Sequence, residues 1–256
     1  MEKLSLSTLV EYLNQYLEPE PIEDDSVNGL QVPGGDLVGR VAVATDASLE
    51  VFEEMVQRDC DFLFVHHGLF WRYRKEDRIT PLMKTKLKFL FDHNLSLYAS
   101  HLPLDIHPRS GNNQKLFDLL GLREPQPMGR YKALKIGLMG IVPAQGISFE
   151  EFSARVEKRL GGAVQSFNFA TGRVKRVALI TGGGQNGLYE AKECGFDTFI
   201  TGEMSHYMYH VAKENQVNVI LAGHYLTETL GPQAVGEHIC ERFGLEFEFL
   251  DFPTGL

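Results

Sequence analysis

The sequence predicts an α/β protein built as two similar three-layer α/β lobes related by pseudo-two-fold symmetry. Three observations predict it. Short apolar runs of strand length alternate with segments of helical periodicity, each bounded by turn residues. The order strand, helix, strand, helix, strand is traversed twice. Parts of the two halves also overlay without gaps. Residues 41–67 on 177–203 match Val41 with Val177, Ala42 with Ala178, Thr45 with Thr181, Glu54 with Glu190 and Asp61 with Asp197, and residues 94–105 on 217–228 match His101 with His224 and Asp105 with Glu228. The first half carries extra residues around WRYRKEDRITPLM.

The chain opens with an amphipathic helix at 5–17, where Leu6, Leu9, Val10, Leu13 and Leu17 recur at helical spacing and Pro19 and Pro21 end it. DDSVNGLQVPGG is turn-rich around Asn28 and Gly29 and leads into an alternating strand at 41–45. Asp46 or Ser48 caps the next helix, which turns Val51, Phe52, Met55 and Val56 inward. A strand at 62–65 completes a βαβ unit with a right-handed crossover. A helix at 82–91, a strand at 95–99, the HLPLD turn and a helix from GNNQ to near Gly121 follow. Pro125, Pro127 and Gly129 punctuate the middle and place the boundary between a first lobe, 1–125, and a second, 126–256. The second lobe reads as a strand at 135–142, a capped helix at 148–160 ended by Gly161 and Gly162, and a strand at 174–181. TGGGQNG turns the chain into a helix at 188–194, and 198–201 is a short strand. GEMSHYMYH starts another helix, followed by a strand at 217–222, a helix at 232–243 and a closing strand at 246–252.

With 256 residues, 43% of them hydrophobic, the chain has enough apolar surface for real cores. A net charge of −9 argues against nucleic acid or an anionic membrane as the main partner, because either needs a basic face. Cys60, Cys194 and Cys240 are widely spaced with no CxxC, which argues against a disulfide framework or a thiolate zinc site. The N-terminus lacks the long apolar run of a signal peptide, and no window approaches the roughly 20 apolar residues of a membrane span. A cytoplasmic protein is expected.

The chemistry concentrates where strands end. FLFVHHGLFW places His66 and His67 directly after an apolar strand; HLPLD (101–105) and GHYLTE (223–228) do the same for His101 and Asp105 and for His224 and Glu228. Carboxyl ends of strands are where α/β proteins bind ligands. Singly, such histidines as often pack or bond to backbone as ligate. Three such elements together point to metal. Histidine with carboxylate suits zinc, iron, manganese, nickel or cobalt. Six candidates exceed the needs of one tetrahedral ion, and a carboxylate can bridge two, so a dinuclear centre in a cleft shared by the lobes is expected, with hydrolysis as the matching reaction class.

VHHGLFW, HLPLDIHPRSGNN and GHYLTE, with NGLQV at 28–32 and the closing strand, resemble the Nif-three-like family, whose members are named GTP cyclohydrolase 1 type 2 homologs. The resemblance runs over nearly the whole chain and lacks the large domain that some longer members carry between the halves. It implies two α/β lobes, two divalent metal ions per chain and a toroidal homohexamer. Carried onto matching positions, it implies His66, His67, Asp105, His224 and Glu228 as ligands, Glu228 as the bridge, and His101 outside the ligand set.

Other stretches carry weaker signals. TGGGQNG at a helix start could cradle a phosphate, but it lacks the Lys-[ST] of a P-loop and reads first as a tight turn. Glu203 overlays His67 and is a candidate general acid or base, weighed equally against an ordinary helix-start carboxylate. His206 and His210, one helical turn apart, read as a polar face. Arg72, Arg74, Lys75 and Arg78 beside Trp71 and Tyr73 could grip a phosphate or stack a base; such loops are more often solvated or buried at a subunit contact. Two functional readings stay open: a metal-dependent hydrolase of a small, perhaps nucleotide-like substrate with His101 and Glu203 as catalytic groups, and a non-catalytic metal-binding regulatory or scaffold ring.

Overall fold

The computed structural model describes residues 3–18, 22–72, 78–143 and 146–256. In chain order the elements are β1 (Leu4–Ser5), α1 (Leu6–Leu17), β2 (Gly29–Val32), β3 (Leu37–Val38), β4 (Arg40–Asp46), α2 (Leu49–Gln57), β5 (Phe62–His67), α3 (Pro81–Asp92), β6 (Ser96–Ala99) and α4 (Leu102–Asp105). There follow α5 (Asn112–Leu119), β7 (Arg123–Tyr131), β8 (Leu134–Ile141), α6 (Phe149–Leu160), β9 (Gln165–Phe167), β10 (Arg176–Ile180), a 3-10 turn (Gln185–Glu190), α7 (Ala191–Cys194), β11 (Thr198–Thr201), α8 (Met208–Glu214), β12 (Asn218–Leu221), α9 (His224–Glu228), α10 (Leu230–Phe243) and β13 (Glu246–Phe249).

Local chemistry starts and stops the helices. Ser5, Ser48, Thr80 and Ser148 accept N-terminal backbone N–H groups of α1, α2, α3 and α6, and Ser148 with Glu151 completes a reciprocal capping box. Gly161 ends α6 at φ 76°, the left-handed conformation that glycine takes without steric cost.

The chain divides into two compact units that are not contiguous halves: Met1–Leu104 with Gly231–Phe252, and Asp105–Leu230 with Pro253–Leu256. Residue 125, where the sequence places the boundary, lies within β7. That strand is at the edge of its sheet and pairs with β8 alone, so Pro125 and Pro127 fit without breaking a ladder on the other side.

The first unit has a five-stranded sheet, order β13-β4-β5-β6-β2, in which only β2 is antiparallel to its neighbour. Alternation divides its residues between two cores. Val41, Val43, Phe62, Phe64 and Tyr98 pack with Leu9 and Leu13 of α1 and Val235 and Ile239 of α10. Ala42, Ala44, Leu63, Val65 and Leu97 pack with Val51, Phe52 and Met55 of α2 and Leu90 of α3. This is the expected three-layer arrangement.

The second unit repeats it on a six-stranded sheet, order β7-β8-β10-β11-β12-β9. Val177, Leu179, Ile200 and Ile220 meet Phe117 of α5 and Phe152 and Val156 of α6. Ala178, Ile180, Phe199 and Val219 meet Leu188, Ala191 of α7, and Met208 and Ala212 of α8. The parallel trios β4-β5-β6 and β10-β11-β12 share their order. Val41 pairs with Phe62 as Val177 pairs with Thr198, which is the frame of the first sequence overlay. The second overlay is shifted by one: the ladders equate Ser96, rather than Leu95, with Asn218, and the second unit has one residue more before its strand-end histidine.

Candidate metal centre

In the first unit β5 runs on through His66 and His67 because β4 extends beside it to Asp46, opposite His67. His66 is fully buried, and its Nδ1 lies 3.0 Å from the Ser100 carbonyl. His67 Nδ1 lies 2.9 Å from Asp46 Oδ1, and His101 Nδ1, just past β6, lies 2.9 Å from Asp24 Oδ1. The neutral imidazole that donates from Nδ1 carries its lone pair on Nε2, the nitrogen then suited to ligate or take a proton. His66, His67 and His101 each offer a ligand atom, all within 4.8 Å of one another.

The loops behind them are braced. Asp24 is buried and accepts from the N–H groups of Ser26 and Leu102 and from Asn28 Nδ2, while Asn28 Oδ1 accepts from the His101 N–H. Burial pushes the Asp24 carboxyl up, but the hydrogen bond and charge of His101, with Asn28 and the Ser26 N–H, outweigh it and hold the carboxyl well below the usual range. Gln31 Oε1 accepts from Leu69 N at 2.7 Å and so fixes the turn after His67. A Cβ on Gly68 would stand 2.4 Å from the Gln31 amide and 2.6 Å from the Ala99 Cβ, so a side chain there would displace the Gln31 contact and press on β6.

In the second unit Asp105, Glu228 and His224 converge on the loop after β10. Asp105 is buried, and its Oδ1 accepts from Asn112 Nδ2 (2.9 Å) and Thr181 Oγ1 (3.3 Å). His224 and Glu228 sit four residues apart on the single turn α9, and His224 Nε2 is 3.1 Å from Glu228 Oε2. Glu203 Oε1 is 3.1 Å from His224 Nδ1. The hydrogen bond to Glu228, against the opposing effect of burial and with help from Glu203, pushes the His224 imidazole up to about 9. Gly182, at φ +61°, seats this group: its N–H is donated to Thr227 Oγ1, its carbonyl accepts from Gly202 N, and a Cβ there would stand 1.9 Å from Glu228 Oε1. Asp105 and Glu228 offer oxygens within 4.8 Å of each other. Two buried carboxylates so close repel, and a cation offsets that cost. Imidazole nitrogens with carboxylate oxygens, and no cysteine in any of these groups among the described residues, fit a divalent transition metal.

Of the residues singled out from sequence, His66, His67 and His101 thus meet in one unit, and Asp105, His224, Glu228 and Glu203 in the other. Glu203 is exposed and touches the cluster through His224. His206 and His210 form an exposed ring pair, centroids 6.0 Å apart. TGGGQNG is a tight turn whose Gly182 cradles Glu228. Tyr73, Arg74 and Lys75 of the basic loop lie outside the described residues. Asp24 and Asn112 are site residues that the strand-end motifs do not single out; Thr181 falls in TGGGQNG, which the sequence offers as a tight turn or a phosphate cradle, and Asp46 reads from sequence as a cap. For Asp46 a signal existed: it ends a strand one βαβ step before His67. In the structure Ser48 caps α2 and Asp46 holds His67.

Three-layer α/β units with clustered imidazoles and buried carboxylates at strand ends define an α/β protein of candidate metal-binding type. The chain belongs to the Duf34/NIF3 (NGG1p interacting factor 3) family, which it matches over residues 4–254. It is 38% identical over 248 residues to a GTP cyclohydrolase 1 type 2 homolog of Deinococcus radiodurans, covering 97% of this chain and 93% of that protein. Among solved structures, protein ybgI, described as of unknown function, superposes with TM-score 0.92 at 33% identity over 99% of this chain and all of that one. TTHA1606 from Thermus thermophilus does so with TM-score 0.85 at 36% identity over 99% of this chain and all of that one. No helix among the described residues is long and apolar enough to cross a membrane.

Proposed function

We propose that the chain is a metal-dependent hydrolase with a dinuclear centre, acting on a small substrate with nucleotides among the candidates. The observation that carries this reading is the set of four imidazoles, His66, His67, His101 and His224, each oriented at Nδ1 by a carboxylate or carbonyl. The relatives' name, GTP cyclohydrolase 1 type 2 homolog, supports the reaction class. His66, His67, Asp105, His224 and Glu228 would hold the ions. When bound, divalent ions supply Lewis acidity and draw the pKa of a water down towards neutrality. His101, its Nδ1 proton directed at Asp24, exchanges a proton at Nε2. Glu203 orients His224 and, being exposed, is open to proton exchange with substrate or solvent. A homohexameric ring belongs to the same proposal and is read directly by light scattering of the full chain.

The test is elemental analysis of the purified protein, then a screen of nucleotides, cyclic amides and phosphoesters with and without the metal found. Metal-dependent turnover of any of them supports the hydrolase. Bound metal without turnover moves the function to the regulatory or scaffold ring.

A further inference from the structure

A cavity of about 420 Å³, a size that suits a small organic molecule, opens in the second unit at the carboxyl ends of β11 and β12. Leu221 closes β12 there, paired with Gln165 at the start of the edge strand β9. Met204 and Ser205, which also line the cavity, directly follow Glu203 on the segment that leaves β11. The cavity thus stands at the sheet end that carries Glu203 and His224, the end where α/β sheets take their ligands.

The floor is apolar and largely aromatic, made by Phe167, Tyr209, Met204 and Leu221. Its rings are set in advance. Phe167 stacks on Phe169 with centroids 6.0 Å apart, and Tyr209 stands perpendicular to both at 5.5 and 5.1 Å. Asn218 Oδ1 fixes the segment behind them by accepting the N–H groups of Phe169 and Ala170. The rim is polar and exposed, with the Gln165 amide, the Ser205 hydroxyl and the imidazoles of His206 and His210. Among the described residues no Asp, Glu, Lys or Arg lines the cavity.

Two costs decide what fits. A charged group would lose water here with no counter-charge on the walls, which favours an uncharged ligand. A purely apolar body would also strip water from the Gln165 amide and the Ser205 hydroxyl, which have no hydrogen-bond partner among the described residues, and would give them none in return. A planar nitrogen heterocycle avoids both costs. Its face lies against the rings, and its edge carries donors and acceptors in one plane, the complement of a carboxamide that has both.

We propose that this cavity binds an uncharged planar nitrogen heterocycle of nucleobase type, its body against Phe167 and Tyr209 and its polar edge on Gln165, as the part of the substrate that sets specificity. The assignment rests on the reading of His224 and Glu203 as part of a reaction centre. It narrows the substrate class of that centre to heterocyclic compounds and makes Gln165 the residue that reads the ring edge.

The test is a saturation-transfer NMR titration of the full chain, metal-loaded and chelator-treated, with adenosine, inosine, ribose and cyclohexanol. One nucleoside or both should bind about tenfold or more tighter than ribose and cyclohexanol, the scale of one base stacked on an aromatic ring. The preference should hold in both metal states, because no residue of the cavity belongs to the ligand set. Phe167→Leu, which keeps an apolar wall and removes the ring, should weaken nucleoside binding about tenfold. Gln165→Ala, at an exposed position on an edge strand, should weaken it about fivefold or more, and it decides the matter if Phe167→Leu does not fold. No binding of either nucleoside, equal binding of nucleosides and cyclohexanol, binding that disappears with the metal, or full nucleoside affinity in both variants would overturn the proposal. Because binding is measured without turnover, such a result leaves the hydrolase reading to its own screen, and a failed screen leaves this result standing.

Discussion

His101 Nδ1 and Asp24 Oδ1 lie 2.9 Å apart, joining a strand-end histidine to a carboxylate buried in a loop 77 residues earlier. Asp24 has a depressed pKa in the folded chain. A carboxylate of that kind adds stability above its unfolded pKa of about 4, and the gain is lost as pH falls through the folded value. Asp24→Asn should therefore cost stability at pH 7, and its deficit against wild type should narrow as pH falls below about 5. Urea unfolding at stepped pH measures this. A deficit that does not change with pH would place the cost in packing instead of charge.

His101→Ala should keep the metal content of the wild type and lower turnover by a factor of about 10 to 100, as partners outside the ligand set usually do. Metal analysis beside steady-state kinetics separates the outcomes. Loss of metal would make His101 a ligand, an arrangement compatible with its ligand atom lying within 4.8 Å of those of His66 and His67.

His224→Ala combined with Glu228→Ala should abolish metal binding and leave the secondary structure intact. The second unit's two cores are built from residues of other elements, so the single turn α9 contributes donors more than packing. Circular dichroism and metal analysis on one preparation check this; two metals per chain in the double variant would refute the ligand assignment.

Gly182→Ala should weaken metal binding without touching a donor. The added methyl would stand 1.9 Å from Glu228 Oε1 and 3.1 Å from His224 Nε2, so both side chains must move. The left-handed backbone adds a stability cost of about 1 kcal/mol. A metal titration by calorimetry should show at least about a tenfold loss, on the scale of other changes that disturb ligand orientation. Unchanged affinity would mean that Glu228 is not a ligand.

The sequence by itself determined the parts that depend on near neighbours. Apolar periodicity marked β11 at its observed bounds and α6 within a residue, Ser148 and Gly161 marked where α6 starts and stops, and the strand-end position of His66, His67, His101 and His224 singled them out. The tertiary structure decided what depends on distant pairing. The prolines at 125 and 127 read as a boundary because their effect on an isolated chain is to break structure, yet an edge strand accommodates them. Strand β13 and most of α10, last in the sequence, complete the first unit, since a parallel strand needs only a neighbour with a matching edge and not a nearby one in the chain. The partner that orients each imidazole, whether Asp24, Asp46, Glu203 or the Ser100 carbonyl, lies 21 to 77 residues away. A histidine's neighbours in sequence say where its backbone runs; which atom holds its Nδ1 proton is settled only when the loops of separate strands are packed together.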